Sequence, residues 1–185
     1  MTGGIAGPDL QSISGAIVAQ MLAEIDAQAT NDSRGKSFEA LAEYLFLSLG
    51  CRTKRNITSP LHAEQLDLVA AHLGALNPLP TFFIVECKWW DRKVDSAAVG
   101  YFVNTCRSRK AKLAIVFARN GLTGSSRSQT AAHSVAFGAA NDGVHLIVVT
   151  EADIAGLTSN DDFAAMLIDA WIMAVAGAGV GLSSR

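Results

Sequence analysis

Glu86 and Lys88 close an apolar run, Phe82-Phe83-Ile84-Val85-Glu86-Cys87-Lys88, and are followed by Trp89 and Trp90. In a strand, alternate residues share a face, so this acid and this ammonium project on one side, roughly 6.6 to 7 Å apart, while Val85 and Cys87 point the other way. A strand ordinarily keeps its charges off a buried face, because an isolated ion there loses several kcal/mol of hydration. A second lone acid, Asp67, sits inside Gln65-Leu66-Asp67-Leu68-Val69. Two carboxylates on neighbouring strands repel each other and raise one pKa unless a cation lies between them, and a hard cation such as Mg²⁺ prefers oxygen ligands. A plain buried salt bridge between Asp67 and Lys88 would satisfy the same charges. The strand pattern by itself leaves both arrangements open.

The elements that must position these residues follow from apolar periodicity and turn residues. Asp9 can cap a helix to about Gln28, with Ile13, Ile17, Met21, Leu22 and Ile25 at helical spacing, and Asn31 to Arg34 reads as a linker. The stripe Phe38, Leu41, Ala42, Leu45 and Leu49 predicts a helix from about Gly35, stopped by Gly50. Strands are expected at Cys51 to Thr58, Gln65 to His72 and Phe82 to Lys88, with Gly74 to Pro80 holding turn residues. A helix over about Asp95 to Arg109, a strand at Leu113 to Ala118, a Gly-containing loop, a helix to about Ala140 and a strand at Val144 to Val149 follow. A short helix at Glu151 to Leu157 and a last one at Asp161 to Val175 complete the chain. A meander followed by alternating helices and strands requires a mixed sheet with helices on both faces.

With 185 residues, half of them apolar and 17% charged, the chain suits one ordered domain with a full core. Segment 1–34 reads as a helix and linker, 35–150 as the core and 151–185 as a helical extension of the same compact unit. The start lacks a signal-peptide pattern, and the longest apolar stretch, Ala170 to Leu182, is shorter than the roughly 20 residues that span a bilayer, so a cytoplasmic protein without a membrane partner is expected. Cys51, Cys87 and Cys106 have no paired or zinc-site spacing and read as free thiols. His62, His72, His133 and His145 likewise share no site spacing. The net charge of −2 hides an asymmetry: Arg34 to Arg127 holds 14 Lys and Arg against 7 Asp and Glu, a net +7, and the remainder is net −9. A basic middle attracts phosphates through Coulomb steering and counterion release, and equally describes an ordinary solvated surface.

Asp67 followed by Glu86-x-Lys88 at the end of an apolar strand resembles the PD-(D/E)xK nuclease motif. The flanking text, Gly35-Lys36-Ser37-Phe38-Glu39, Glu64-Gln65-Leu66-Asp67-Leu68-Val69 and Val85-Glu86-Cys87-Lys88, is similar to the Mrr-type restriction endonuclease-like family over about Gly35 to Val149. Two departures are Leu66 in place of the proline that names the motif, and the 18 residues between Asp67 and Glu86, which require a long hairpin. The resemblance implies a restriction-endonuclease-like α/β core and a site in which Asp67, Glu86 and the carbonyl of Cys87 hold Mg²⁺, with Mn²⁺ able to substitute. It also implies that Lys88 orients or deprotonates the attacking water, and that Glu39 completes or contacts the metal shell.

What this implies in turn is a Mg²⁺-dependent endonuclease acting on DNA, in restriction or anti-phage defence or in DNA repair. Alternatives from other classes are a non-catalytic DNA-binding or scaffold module on the same fold, and a ribonuclease or structure-selective resolvase. Lys36, Trp89, Trp90, Arg92, Lys93, Arg107, Arg109, Lys110, Lys112 and Arg127 are candidates for nucleic-acid contact, with either indole equally able to cap the core instead. No sequence-reading module accompanies the core, so specificity is low or supplied by a partner protein. The apolar stripes of the acidic terminal helices, headed by Leu22 and Trp171, suggest a homodimer, or else they cover the chain's own sheet.

Overall fold

The computed structural model describes residues 12–58, 65–124, 131–178 and 180–182. Asp9, His62, Glu64 and Arg127, singled out above, lie outside the described residues. The order of elements is α1 (Gly15–Asp26), α2 (Asn31–Ser48), β1 (Arg52–Thr58), β2 (Gln65–Ala71), β3 (Phe82–Lys88), α3 (Ser96–Ser108), β4 (Leu113–Ala118), α4 (Ala132–Asn141), β5 (His145–Thr150), α5 (Glu151–Ala155), α6 (Asn160–Met173) and β6 (Val180–Leu182). One six-stranded sheet runs β1-β2-β3-β4-β5-β6. Its first three strands form an antiparallel meander, and β3 through β6 are parallel. The expected mixed α/β sheet with helices on both faces is therefore the fold.

Every residue of β4 is buried, which is what a central parallel strand between two helical layers demands of its side chains. On one face α1, α2, α5 and α6 build a core around Phe38, Phe46, Phe117 and Phe163, with ring centroids 5.3 to 6.5 Å apart in tilted or edge-on pairs. On the other, α3 and α4 pack Val99, Phe102, Val103, Ala132 and Ala136 over Ile84, Ala114 and Val116. The apolar stripes of α1 and α6, including Leu22, Phe163 and Leu167, are absorbed by the first core, with Trp171 packed on its margin against His145. Much of the two stripes is thus covered within the chain, while Ile17 (43%) and Val175 (50%) stay exposed. None of the described helices is long and apolar enough to cross a membrane.

Three expectations are corrected. Asn31 to Arg34 is the first turn of α2 and not a linker: the Thr30 hydroxyl accepts the Ser33 N–H (3.1 Å) and Ser33 returns to the Thr30 N–H, a reciprocal cap built from two hydroxyls. Ser14, not Asp9, caps α1. The Gly/Ala-rich tail supplies a further short strand, β6, beside β5. Between β2 and β3 the long connection is organised by buried His72, whose Nδ1 accepts the Gly74 N–H (3.1 Å) while Nε2 meets the Leu79 carbonyl (3.2 Å).

Candidate active site

The site forms where β2 and β3 part. Their ladder runs from Ala71↔Phe82 to Leu68↔Val85 and ends there. The next strand amide, that of Cys87, donates to Asp67 Oδ2 at 2.9 Å, so a carboxylate takes the place of a strand carbonyl. Leu68 and Ala70 pack with the α2 layer, but Leu66 packs with the α3 layer, although all three would share a face in a regular strand. The strand therefore turns over at Asp67. Asn56, flanked by the pairs Arg55↔Leu68 and Ile57↔Leu66, adopts φ +52° beside this point. Left-handed backbone in a non-glycine residue is strained geometry of the kind that clusters at functional sites.

Phe83, Val85 and Cys87 enter the α2 layer, so alternation sends Glu86 and Lys88 to the side of Ile84, as the sequence predicts. Lys88 Nζ sits 2.5 Å from Glu86 Oε1. The plain salt bridge considered for Asp67 and Lys88 is thus replaced by a Glu86–Lys88 pair, with Asp67 held by an amide. Burial pushes the Glu86 carboxyl up, and the neighbouring Asp67 pushes it further, against the pull of Lys88. Burial acts to lower the Lys88 ammonium, yet contact with Glu86 outweighs it and the net shift is upward.

Glu39 reaches the same centre from α2. It is only 9% exposed, and its Oε2 is buried without a hydrogen-bond partner among the described residues. The nearest cation, Arg55 of β1, stands 3.7 Å away and is shared with Glu43 at 3.4 Å. Burial raises the Glu39 carboxyl and Asp67 adds to it, while Arg55 and Lys88 oppose the rise. Three carboxylates within Coulomb range of one another thus face two partly committed cations. No three acid, imidazole or thiol groups already converge into a closed cage among the described residues, since Glu86 is turned onto Lys88 and Asp67 onto an amide. The donor set nonetheless fits a hard divalent cation: oxygen ligands, surplus negative charge and one orphaned buried oxygen. The Cys87 thiol lies buried among these acids and is pushed well above its ordinary value, by burial first and then by Asp67.

The nucleic-acid candidates divide. Lys36 is exposed on α2 and pairs with Asp32 at 2.7 Å. Trp90 is half-buried, with the Arg92 guanidinium 4.6 Å and the Lys88 ammonium 5.6 Å from its ring, and Lys93 beside them is exposed. Trp90 with Arg92 thus stands beside Lys88, and Lys36 lies within Coulomb range of Glu39. Trp89 does not face the site: at 5% exposure it packs on Phe38 (4.8 Å) beneath the Arg119 guanidinium (4.7 Å), so it closes the core and cannot stack on a base. Arg107, Arg109, Lys110 and Lys112 sit at the other end of the sheet. Lys88 is level with Ala118, and β4 begins at Leu113, five residues or about 17 Å earlier. Arg107 there is also engaged by Asp142.

Arg119 was not singled out by type or spacing. It follows β4, donates its amide to the Lys88 carbonyl (3.0 Å), and its side chain ties Asp91 (2.6 Å), Glu151 (3.0 Å) and Asp26 (3.4 Å) together over Trp89. A charge immediately beyond a wholly apolar strand was its only signal.

No curated protein and no solved structure matches the chain. A restriction endonuclease family model, that of the Mrr catalytic domain, matches residues 30–151, about two thirds of the chain and the span that holds Glu39, Asp67, Glu86 and Lys88. The chain belongs to the Mrr-type restriction endonuclease family, a nuclease family, and its mixed α/β sheet is of the restriction-endonuclease type.

Proposed function

We propose that the protein is a Mg²⁺-dependent endonuclease that hydrolyses DNA phosphodiester bonds through a PD-(D/E)xK site. The observation that carries this reading is the parting of β2 and β3, where Asp67 holds the Cys87 amide and Glu86 and Lys88 project together. Asp67, Glu86 and Glu39 would hold the metal, with the Cys87 carbonyl beside them. Once bound, Mg²⁺ or Mn²⁺ supplies a Lewis acid for the phosphoryl oxygens and lowers the pKa of a ligated water. The chain's own groups do the positioning. Lys88, kept protonated by Glu86, serves as an ammonium that orients the water and offsets phosphate charge, which favours that role over general base. Burial of Glu39 and Glu86 limits competing water at the carboxylates.

A role in restriction or anti-phage defence, or in repair of DNA, follows from the family. A two-fold dimer would give the two sites that double-strand cleavage needs. A partner protein would supply sequence specificity. The closed Glu86–Lys88 pair favours one second reading, a non-catalytic nucleic-acid-binding module. Calorimetric titration with Mn²⁺ separates the two: the nuclease reading requires heat that disappears in Asp67→Ala, and a binding module gives none. Incubation with duplex, single-stranded and branched DNA and with RNA tests the substrate, and cleavage of RNA alone would overturn the deoxyribonuclease reading.

A further inference from the structure

Beside the site, one face of the sheet is left without a helix by the described residues. Among the described residues, α2 is the one helix packed broadly against β1 and β2, and α3 and α4 cover the sheet from β3 onward. Thr53 and Arg55 turn toward α2, where they bind Glu43 and Glu39. Alternation therefore turns Arg52 and Lys54 to the opposite face, the one carrying Glu86 and Lys88. Lys54 pairs with Val69, two residues from Asp67, and Arg52 pairs with Ala71. These offsets put Lys54 about 8 Å and Arg52 about 14 Å from Asp67 between Cα atoms. Both are exposed and make no ion pair among the described residues, unlike Arg107 at the far end of the sheet.

We propose that this open face of β1 and β2 is a phosphate-contacting track, on which Arg52 and Lys54 hold the nucleic-acid backbone as it leaves the Asp67–Glu86–Lys88 site. The substrate class rests on the nuclease reading, and the occupant of the face on charge complementarity. A row of two unpaired cations on a helix-free sheet face beside buried acids gives a polyanion a landing surface while the acids remain for a metal. The contacts are to phosphates and carry no sequence preference. The face also lies on an edge strand, where cations discourage edge-to-edge pairing of two sheets, so a second copy of the chain is the occupant to be distinguished.

The test is the salt dependence of binding to a short DNA duplex in EDTA, read by fluorescence anisotropy for the full chain, for Arg52→Ala/Lys54→Ala and for Lys110→Ala/Lys112→Ala. Each lost phosphate contact lowers the slope of log K against log salt by about 0.9, so the first variant should lose about 1.8. Between about 50 and 200 mM salt the unaltered chain then loses about 12-fold more affinity than that variant. The Lys110/Lys112 variant should keep the full slope. An unchanged slope in the Arg52/Lys54 variant, a reduced slope in the far-end variant, or no duplex binding by the unaltered chain would each overturn the proposal. A dimer in sedimentation that only the Arg52/Lys54 substitutions dissolve would assign the face to a second copy and overturn it as well. Because binding is read without metal, these outcomes stand apart from the nuclease reading, whose own failure is Mg²⁺-dependent cleavage surviving in Glu86→Gln.

Discussion

Replacing Glu39 by Met should make the metal-free protein more stable and a poorer metal binder. Among the described residues Glu39 Oε2 is a buried oxygen without a hydrogen-bond partner, and its nearest cation, Arg55, is 3.7 Å away and retains Glu43. Relieving an unsatisfied buried polar group is worth about 1–3 kcal/mol, and losing a loose ion pair costs about 0–1 kcal/mol. The net expectation is about 1–2 kcal/mol of added stability, which for a chain of this length corresponds to a rise in Tm of about 2–8 °C. Scanning calorimetry in EDTA measures it, and Mn²⁺ titration of the same samples measures the loss of affinity. A fall in Tm in EDTA, or a rise with unchanged Mn²⁺ affinity, would refute the assignment of Glu39 as a carboxylate held at a cost for the site.

The raised carboxyls of Glu39 and Glu86 give a pH prediction of unusual sign. Their folded-state pKa values lie above the unfolded 4.5, so their contribution is present below that value and is lost as pH rises through the folded ones. Metal-free stability should therefore dip as pH rises through this window in the native chain but not in Glu39→Met/Glu86→Gln; identical profiles in pH-dependent melts would contradict it. Mn²⁺ affinity should rise over the same window, with protons released on binding, as buffers of different ionisation enthalpy would show. Arg119→Ala removes three ion pairs and the contact over Trp89, and should lower stability by about 1–3 kcal/mol in urea melts, where a loss near zero would assign it to solvated surface charge. Cys51 and Cys106, both buried with thiols pushed up to about 11 and about 12, should react with an aromatic disulfide reagent only as the chain unfolds, and fast labelling of the native protein would contradict the core packing.

The strands β3 and β4 were legible to the residue, because strands buried between two layers read as uninterrupted apolar runs with abrupt ends. The first turn of α2 was not, since residues 31–34 are polar and the cap pairs Thr30 with a serine where the usual reciprocal partner is Glu or Gln. Asp67, Glu86, Lys88 and Glu39 were named together by resemblance to the family's text, and in the structure they lie within Coulomb range of one another. What the sequence could not supply was their pairing, in which Asp67 takes an amide and Glu86 takes Lys88. Arg107 to Lys112 seemed near the site by chain distance, but the parallel crossover through α3 carries the chain back to the other end of the sheet. Trp89 shares its strand side with Cys87 and was readable as buried on that ground, and only Trp90 keeps a face toward the site. Arg52 and Lys54 alternate with Thr53 and Arg55, and which pair faces the helix depends on where α2 docks.

The central claim is that one centre of Asp67, Glu86 and Lys88 cleaves DNA with a divalent metal. Single-turnover cleavage of a supercoiled plasmid, with enzyme in excess, tests it directly when the native chain and Asp67→Ala, Glu86→Gln and Lys88→Ala are compared at matched folding. Mg²⁺- and Mn²⁺-dependent nicking or linearisation should stop in EDTA and be lost in each variant, while duplex binding in EDTA persists. Cleavage by any of the three at the native rate, or cleavage by the native chain in EDTA, would contradict it.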